Sequence, residues 1–99
     1  MNVDAIQSII TTCYVAILDL RGITRPAEIN RETPMFGAGG TIDSMGIVML
    51  VTDVEEAVNV KTGKMISLAD DRAMSQRSSP YRTIGALTDY IMAQLQEKG

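Results

Sequence analysis

The sequence predicts an all-α protein: a small antiparallel bundle of three to four helices with a long first loop. Apolar residues recur at helical spacing in three separate stretches, and no stretch alternates apolar and polar residues over a useful strand length. The length of 99 residues fits one domain, spanning 1–99, near the lower end of what supports a packed core. Seven methionines stand against one phenylalanine, three tyrosines and no tryptophan, so the core should be aliphatic and adaptable.

The first helix runs from Asp4 to about Leu20, with Ile6, Ile9, Ile10, Cys13, Ile17 and Leu20 as its apolar positions. Asp4 is placed to cap it, Gln7 stands three residues on, Gly22 suits its end, and Pro26 bars continuation. Residues 21–43 read as a long loop holding two prolines and four glycines, pinned to the core by Ile29, Met35, Phe36 and Ile42. A loop of that length in so small a domain suggests a functional one. The second helix opens at Asp43 or Ser44 and buries Ile47, Leu50, Val51, Val54 and Val58 in one stripe before ending between Asn59 and Gly63. A short third helix is expected around Ser67–Met74, with Leu68 and Met74 touching the core. A hairpin pairing Val58 and Val60 with Met65 and Ile66 is the weaker alternative for this region. The last helix should begin near Ser79 or Pro80 and bury Ile84, Leu87, Ile91 and Leu95, with Tyr90 or Ala86 beside them.

Composition narrows the function classes. Without histidine, a Ser-His triad and the common zinc sites are both excluded. The single cysteine excludes an intramolecular disulfide, and its place among Ile9, Ile10 and Ile17 makes Cys13 a buried small hydrophobe. A net charge of −3 argues against a nucleic-acid partner. No apolar run approaches the roughly 20 residues that span a bilayer, and Asp4 stands where a signal peptide carries basic residues. The expectation is a cytoplasmic monomer without metal or membrane partners and not itself an enzyme.

The informative stretch is "FGAGGTIDSMGIVMLVTDVEEAV", Phe36 to Val58. Its "GAGG" invites a phosphate-loop reading, but the lysine and Ser/Thr that complete such a loop are missing. Asp43 and Ser44 can each cap the second helix. Capping does not account for Met45, Val48 and Met49, a second apolar strip beside the serine, of the adaptable kind that marks binding surfaces. Nor does it account for Asp53, Glu55 and Glu56, which with Asp43 are offset by no basic residue between 43 and 60. A serine, an apolar strip and an acidic face suit a group attached at the serine and read by basic partners.

The run "IDSMGIVMLVTDVEEAV" resembles the acyl carrier protein signature, in which Asp-Ser-Leu or Asp-Ser-Met opens the second helix. "ETPMFGAGG" before the serine and "TIGALTDYI" from Thr83 to Ile91 fall where that family has its approach loop and its last helix, so most of the chain is covered. The resemblance implies that Ser44 is esterified by 4'-phosphopantetheine, whose thiol carries acyl groups as thioesters, with Asp43 beside it as cap and partner contact. It implies a phosphopantetheinyl transferase as one partner and acyl-activating, acyltransferase or synthase enzymes of fatty-acid, polyketide or specialised pathways as others. Met45, Val48, Met49, Asp53, Glu55 and Glu56 would form the recognition surface, and Leu50, Val51, Val54 and Ile84 would line a shelter for the acyl chain. Gly46 and Met49 stand where the family often has acidic residues, and residues 59–82 are longer than usual and carry Lys61, Lys64, Arg72, Arg77 and Arg82. These departures point to a specialised carrier with partners of its own. A peptidyl or aminoacyl carrier, and an unmodified interaction module on the same fold, remain open as alternatives.

Overall fold

The order of elements follows from three apolar stripes and the turns between them. A computed structural model describes residues 2–36, 39–66, 68 and 81–98. Its three helices are α1 (Val3–Leu20), α2 (Ser44–Thr62) and α3 (Ile84–Lys98), and there is no strand among the described residues. The expected short helix around Ser67–Met74 lies outside the described residues, apart from Leu68, which is fully buried as expected.

Helix α1 starts earlier than Asp4. Asn2 is the cap, its side-chain oxygen accepting the Ala5 amide at 2.8 Å, and Asp4 lies in the first turn, where the helix dipole favours an anion. The C-terminal end is closed by Gly22 at φ +69. The Ile23 amide donates to the Leu18 carbonyl at 2.8 Å and the Gly22 amide to the Asp19 carbonyl at 3.3 Å, a Schellman closure that needs the left-handed residue. The buried stripe is Ile6, Ile10, Tyr14, Ile17 and Leu18, with Ile9 and Cys13 partly buried against it. Leu20, expected inside, is exposed. Two residues beyond Leu18 a helix has turned roughly 200°, so Leu20 faces away from the stripe that Leu18 joins.

Helix α2 opens on Asp43 as its cap and closes on Gly63 at φ +71, whose amide donates to the Asn59 carbonyl at 2.9 Å. Its stripe of Ile47, Leu50, Val51, Val54 and Val58 is fully buried. The helix continues through Val60, which is exposed together with Met65, so the hairpin alternative does not form. Beyond Gly63 the chain is tied to α2 and α3. The Asn59 side chain accepts the Ile66 amide at 2.9 Å, Glu55 accepts the Leu68 amide at 3.0 Å, and the Lys64 ammonium donates to the Leu95 carbonyl at 3.3 Å.

Helix α3 begins at Ile84, later than Ser79 or Pro80, which themselves lie outside the described residues. The reason is the loop. Residues 82–83 are committed to it: the Met35 amide donates to the Arg82 carbonyl at 2.8 Å, and Pro34 bridges Thr83. Thr83 then caps the helix, its hydroxyl accepting the Ala86 amide at 3.0 Å. The two amides before it, of Ile84 and Gly85, which have no partner within the helix, donate to the Thr33 and Arg31 carbonyls of the loop. Ile84, Leu87, Ile91 and Leu95 form the buried face as expected, joined by Thr88, whose hydroxyl donates to the Ile84 carbonyl at 2.8 Å.

α1 packs against both other helices, whereas α2 and α3 nowhere approach within 8 Å between Cα atoms among the described residues. The space between them is filled by side chains, including loop residues Met35, Phe36 and Ile42, and by Ile66, Leu68 and Tyr81, all in one core cluster. The Tyr81 hydroxyl donates to the Leu68 carbonyl. Against the expectation that no apolar run approaches the length that spans a bilayer, α1 is by length and composition alone long and apolar enough to cross a membrane; its buried stripe packs on α2 and α3.

Candidate functional site

The loop ahead of α2 delivers Asp43 and Ser44 to a defined place. Ile42 is buried, and its amide donates to the Met35 carbonyl at 3.0 Å, closing residues 35–42 on themselves. Gly40 allows the closure: a Cβ there would lie 2.7 Å from the Met35 carbonyl carbon and from the Phe36 nitrogen. This accounts for one glycine of "GAGG" as a close backbone approach within the loop. Gly37 and Ala38 lie outside the described residues. One residue before Ile42, the Thr41 hydroxyl meets the Tyr14 hydroxyl of α1 at 2.6 Å, a second tie between the loop and the core.

Asp43 caps α2 through a 2.9 Å hydrogen bond from the Gly46 amide to its carboxylate. The same carboxylate pairs with the Arg21 guanidinium at 3.1 Å. That amide bond, with Arg21 adding a smaller contribution, holds the Asp43 carboxyl below the usual aspartate range, against an opposing desolvation. Arg21 is the C-cap residue of α1 and lies across the first turn of α2, where Gly46 is buried and leaves it room. A Cβ on Gly46 would fall 3.1 Å from the guanidinium and 3.1 Å from the Ile42 Cβ. Ser44 is the first residue of α2, in the turn whose amides have no helical partners.

Met45 is 70% exposed and Val48 45% exposed, while Met49 is half-buried and packs on the core edge. Asp53 and Glu56 are exposed farther along the same helix. There they line, with Ala57, Val60 and Lys61, an open concavity of about 430 Å³. Glu55 stands apart from the other expected recognition residues. It is half-buried, and its carboxylate is occupied by the Leu68 amide, so it fastens the segment after α2. Leu50, Val51, Val54 and Ile84, expected to line an acyl shelter, are all fully buried members of the core cluster.

Arg21 and Tyr14 were missed in the sequence. Arg21 lies 22 residues from Asp43 and Tyr14 lies 27 from Thr41, and no local pattern couples such pairs. The one usable signal was Gly46, a glycine inside a helix, which usually has a packing reason. Cys13 is partly buried, with its thiol pushed up by burial and, to a smaller degree, by the charge of Asp53, as suits an unreactive core residue. Among the described residues no group of three or more acidic or cysteine side chains is placed to hold a metal. No family model, curated protein or solved structure matches the chain.

Proposed function

We propose that this chain is an acyl carrier protein in fold and role, bearing 4'-phosphopantetheine on Ser44 and presenting acyl thioesters to partner enzymes. One observation carries the reading. Ser44 opens a helix whose buried stripe is anchored in the core, and whose flanking residues Met45 and Val48 are left exposed although they are apolar. A serine needed only as a cap would be redundant, because Asp43 already caps the helix.

The chemistry of attachment belongs to a transferase, so the chain needs no base near Ser44. Its own contribution is electrostatic and positional. The positive dipole end of α2, with those first-turn amides that Asp43 does not occupy, favours a phosphodiester there. The ties of Tyr14 to Thr41 and of Arg21 to Asp43 hold the attachment point fixed relative to the core. Asp53 and Glu56 supply negative charge for partner encounter. Leu50, Val51, Val54 and Ile84 would shelter an acyl chain by parting from one another, and α2 and α3 are joined there by side chains and not by close backbones.

The test is the intact mass of the full chain after co-expression with a broad-specificity phosphopantetheinyl transferase. A single adduct is expected, absent in Ser44→Ala. An unmodified chain would overturn the carrier reading. It would leave the exposed Met45 and Val48 to an interaction module that is never modified.

A further inference from the structure

Two arginines in this molecule lie across glycines in the first turn of a helix. Arg31 covers Gly85 and pairs with Asp89 at 2.9 Å; Arg21 covers Gly46 and pairs with Asp43 at 3.1 Å. The second arrangement changes the charge of a surface. The Arg21 side chain is 27% exposed and the Asp43 side chain 65% exposed, so the cation is the less accessible member of the pair, and its guanidinium lies against Gly46, where a Cβ would meet it at 3.1 Å. A unit positive charge against a unit negative charge leaves the helix end with its dipole, about half a positive charge. The turn that carries Asp43, Ser44 and Met45 is therefore not acidic. Along the next two turns the outward residues are Val48, Met49 and Thr52, none of them charged. Negative charge begins at Asp53 and Glu56, roughly 14–18 Å along the axis from Ser44. Among the described residues no cation lies within ion-pair distance of either, and the two carboxylates outnumber Lys61, the one cation that lines the same concavity.

We propose that the exposed face of α2 is electrically divided by Arg21. The half around Ser44 is neutral and apolar, only the half around Asp53 and Glu56 is acidic, and the fitting partner is a protein with an apolar collar at its site entrance and its basic group one to two helical turns beyond it. Arg21 is the specificity-determining residue, because it removes Asp43 from the charges a basic surface can use. A partner that crowds lysine or arginine around its entrance meets a masked carboxylate and the positive end of a helix there, and is disfavoured. The choice of an enzyme as the partner rests on the carrier reading; the division of the surface does not.

Amide NMR of the ¹⁵N-labelled full chain, titrated with a hexalysine peptide at low salt, reads the division directly and needs no modification of Ser44. In the wild type, shifts are expected at Asp53–Lys61 and not at Asp43–Gly46. Arg21→Gln should extend them to Asp43–Gly46 and tighten peptide binding roughly two- to fivefold, the scale of one exposed charge pair. Asp43→Asn keeps a good capping side chain and should leave the wild-type map unchanged; in the Arg21→Gln background it should abolish the added shifts. Equal wild-type shifts at both halves, an unchanged map in Arg21→Gln, or lost peptide binding in Asp43→Asn would each overturn the proposal. If Arg21→Gln does not fold, the wild-type and Asp43→Asn maps decide it. A divided map on a chain that no transferase modifies would refute the carrier reading while leaving the divided surface standing.

Discussion

Glu55 offers a sharp separation between holding the fold and meeting a partner. The sequence groups it with Glu56 as an acidic pair on α2, yet its carboxylate accepts the Leu68 amide at 3.0 Å, and Leu68 is fully buried with its carbonyl taken by Tyr81. Glu55→Ala removes the acceptor and leaves a partly buried amide unpaired beside a buried leucine. An unmade hydrogen bond of this kind costs about 1–3 kcal/mol, and Leu68 is retained in the core only if its backbone stays in place. A loss of about 2 kcal/mol is therefore expected, which for a domain of this size lowers Tm by roughly 8–16 °C. Glu55→Gln keeps an acceptor oxygen in the same position and should lose less than about 1 kcal/mol. Glu56→Ala, exposed and without a described partner, should change stability by no more than about 0.5 kcal/mol. Urea unfolding followed by far-ultraviolet circular dichroism measures all three. Equal midpoints for Glu55→Ala and Glu56→Ala would refute the fastening role and return Glu55 to the partner-facing surface.

Three further outcomes follow from the geometry. Gly22→Ala places a Cβ at φ +69 with nothing within 4 Å, so its cost is conformational alone, about 1–2 kcal/mol by urea unfolding; a neutral result would mean that α1 has another way to end. The Asp43 carboxyl is held below its unfolded value of about 3.9, so the stability its charge adds over Asp43→Asn is present above that pH and is lost as pH falls through the lowered folded value. Urea midpoints of the two proteins should converge in acid, and a gap that widens there would contradict the assignment. Tyr14→Phe leaves the Thr41 hydroxyl without its 2.6 Å partner and should cost about 1 kcal/mol, with faster amide exchange at Ile42 than in the wild type; unchanged exchange would show that Ile42 burial alone holds the loop.

What the sequence determined by itself was local. The stripes of α2 and α3, the capping role of Asp43, and Gly22 and Gly63 as helix ends could all be read from spacing, because a helix brings residues three and four apart onto one face and a left-handed turn favours glycine. The anchoring of the long loop by Met35, Phe36 and Ile42 was legible for a related reason: isolated apolar residues in a polar loop have only the core to go to. Tertiary structure decided the rest. Leu20 turned outward and Tyr14 inward because α1 must face two helices, which fixes the centre of its stripe more tightly than its own pattern does. The start of α3 moved to Ile84 because residues 82 and 83 pair with a loop some 48 positions earlier in the chain. The charge of the surface at Ser44 depended on Arg21, and the freedom of Glu55 depended on Leu68. Each of these is a contact between residues far apart in sequence, created only when the core brings their segments together, and spacing along the chain carries no record of it.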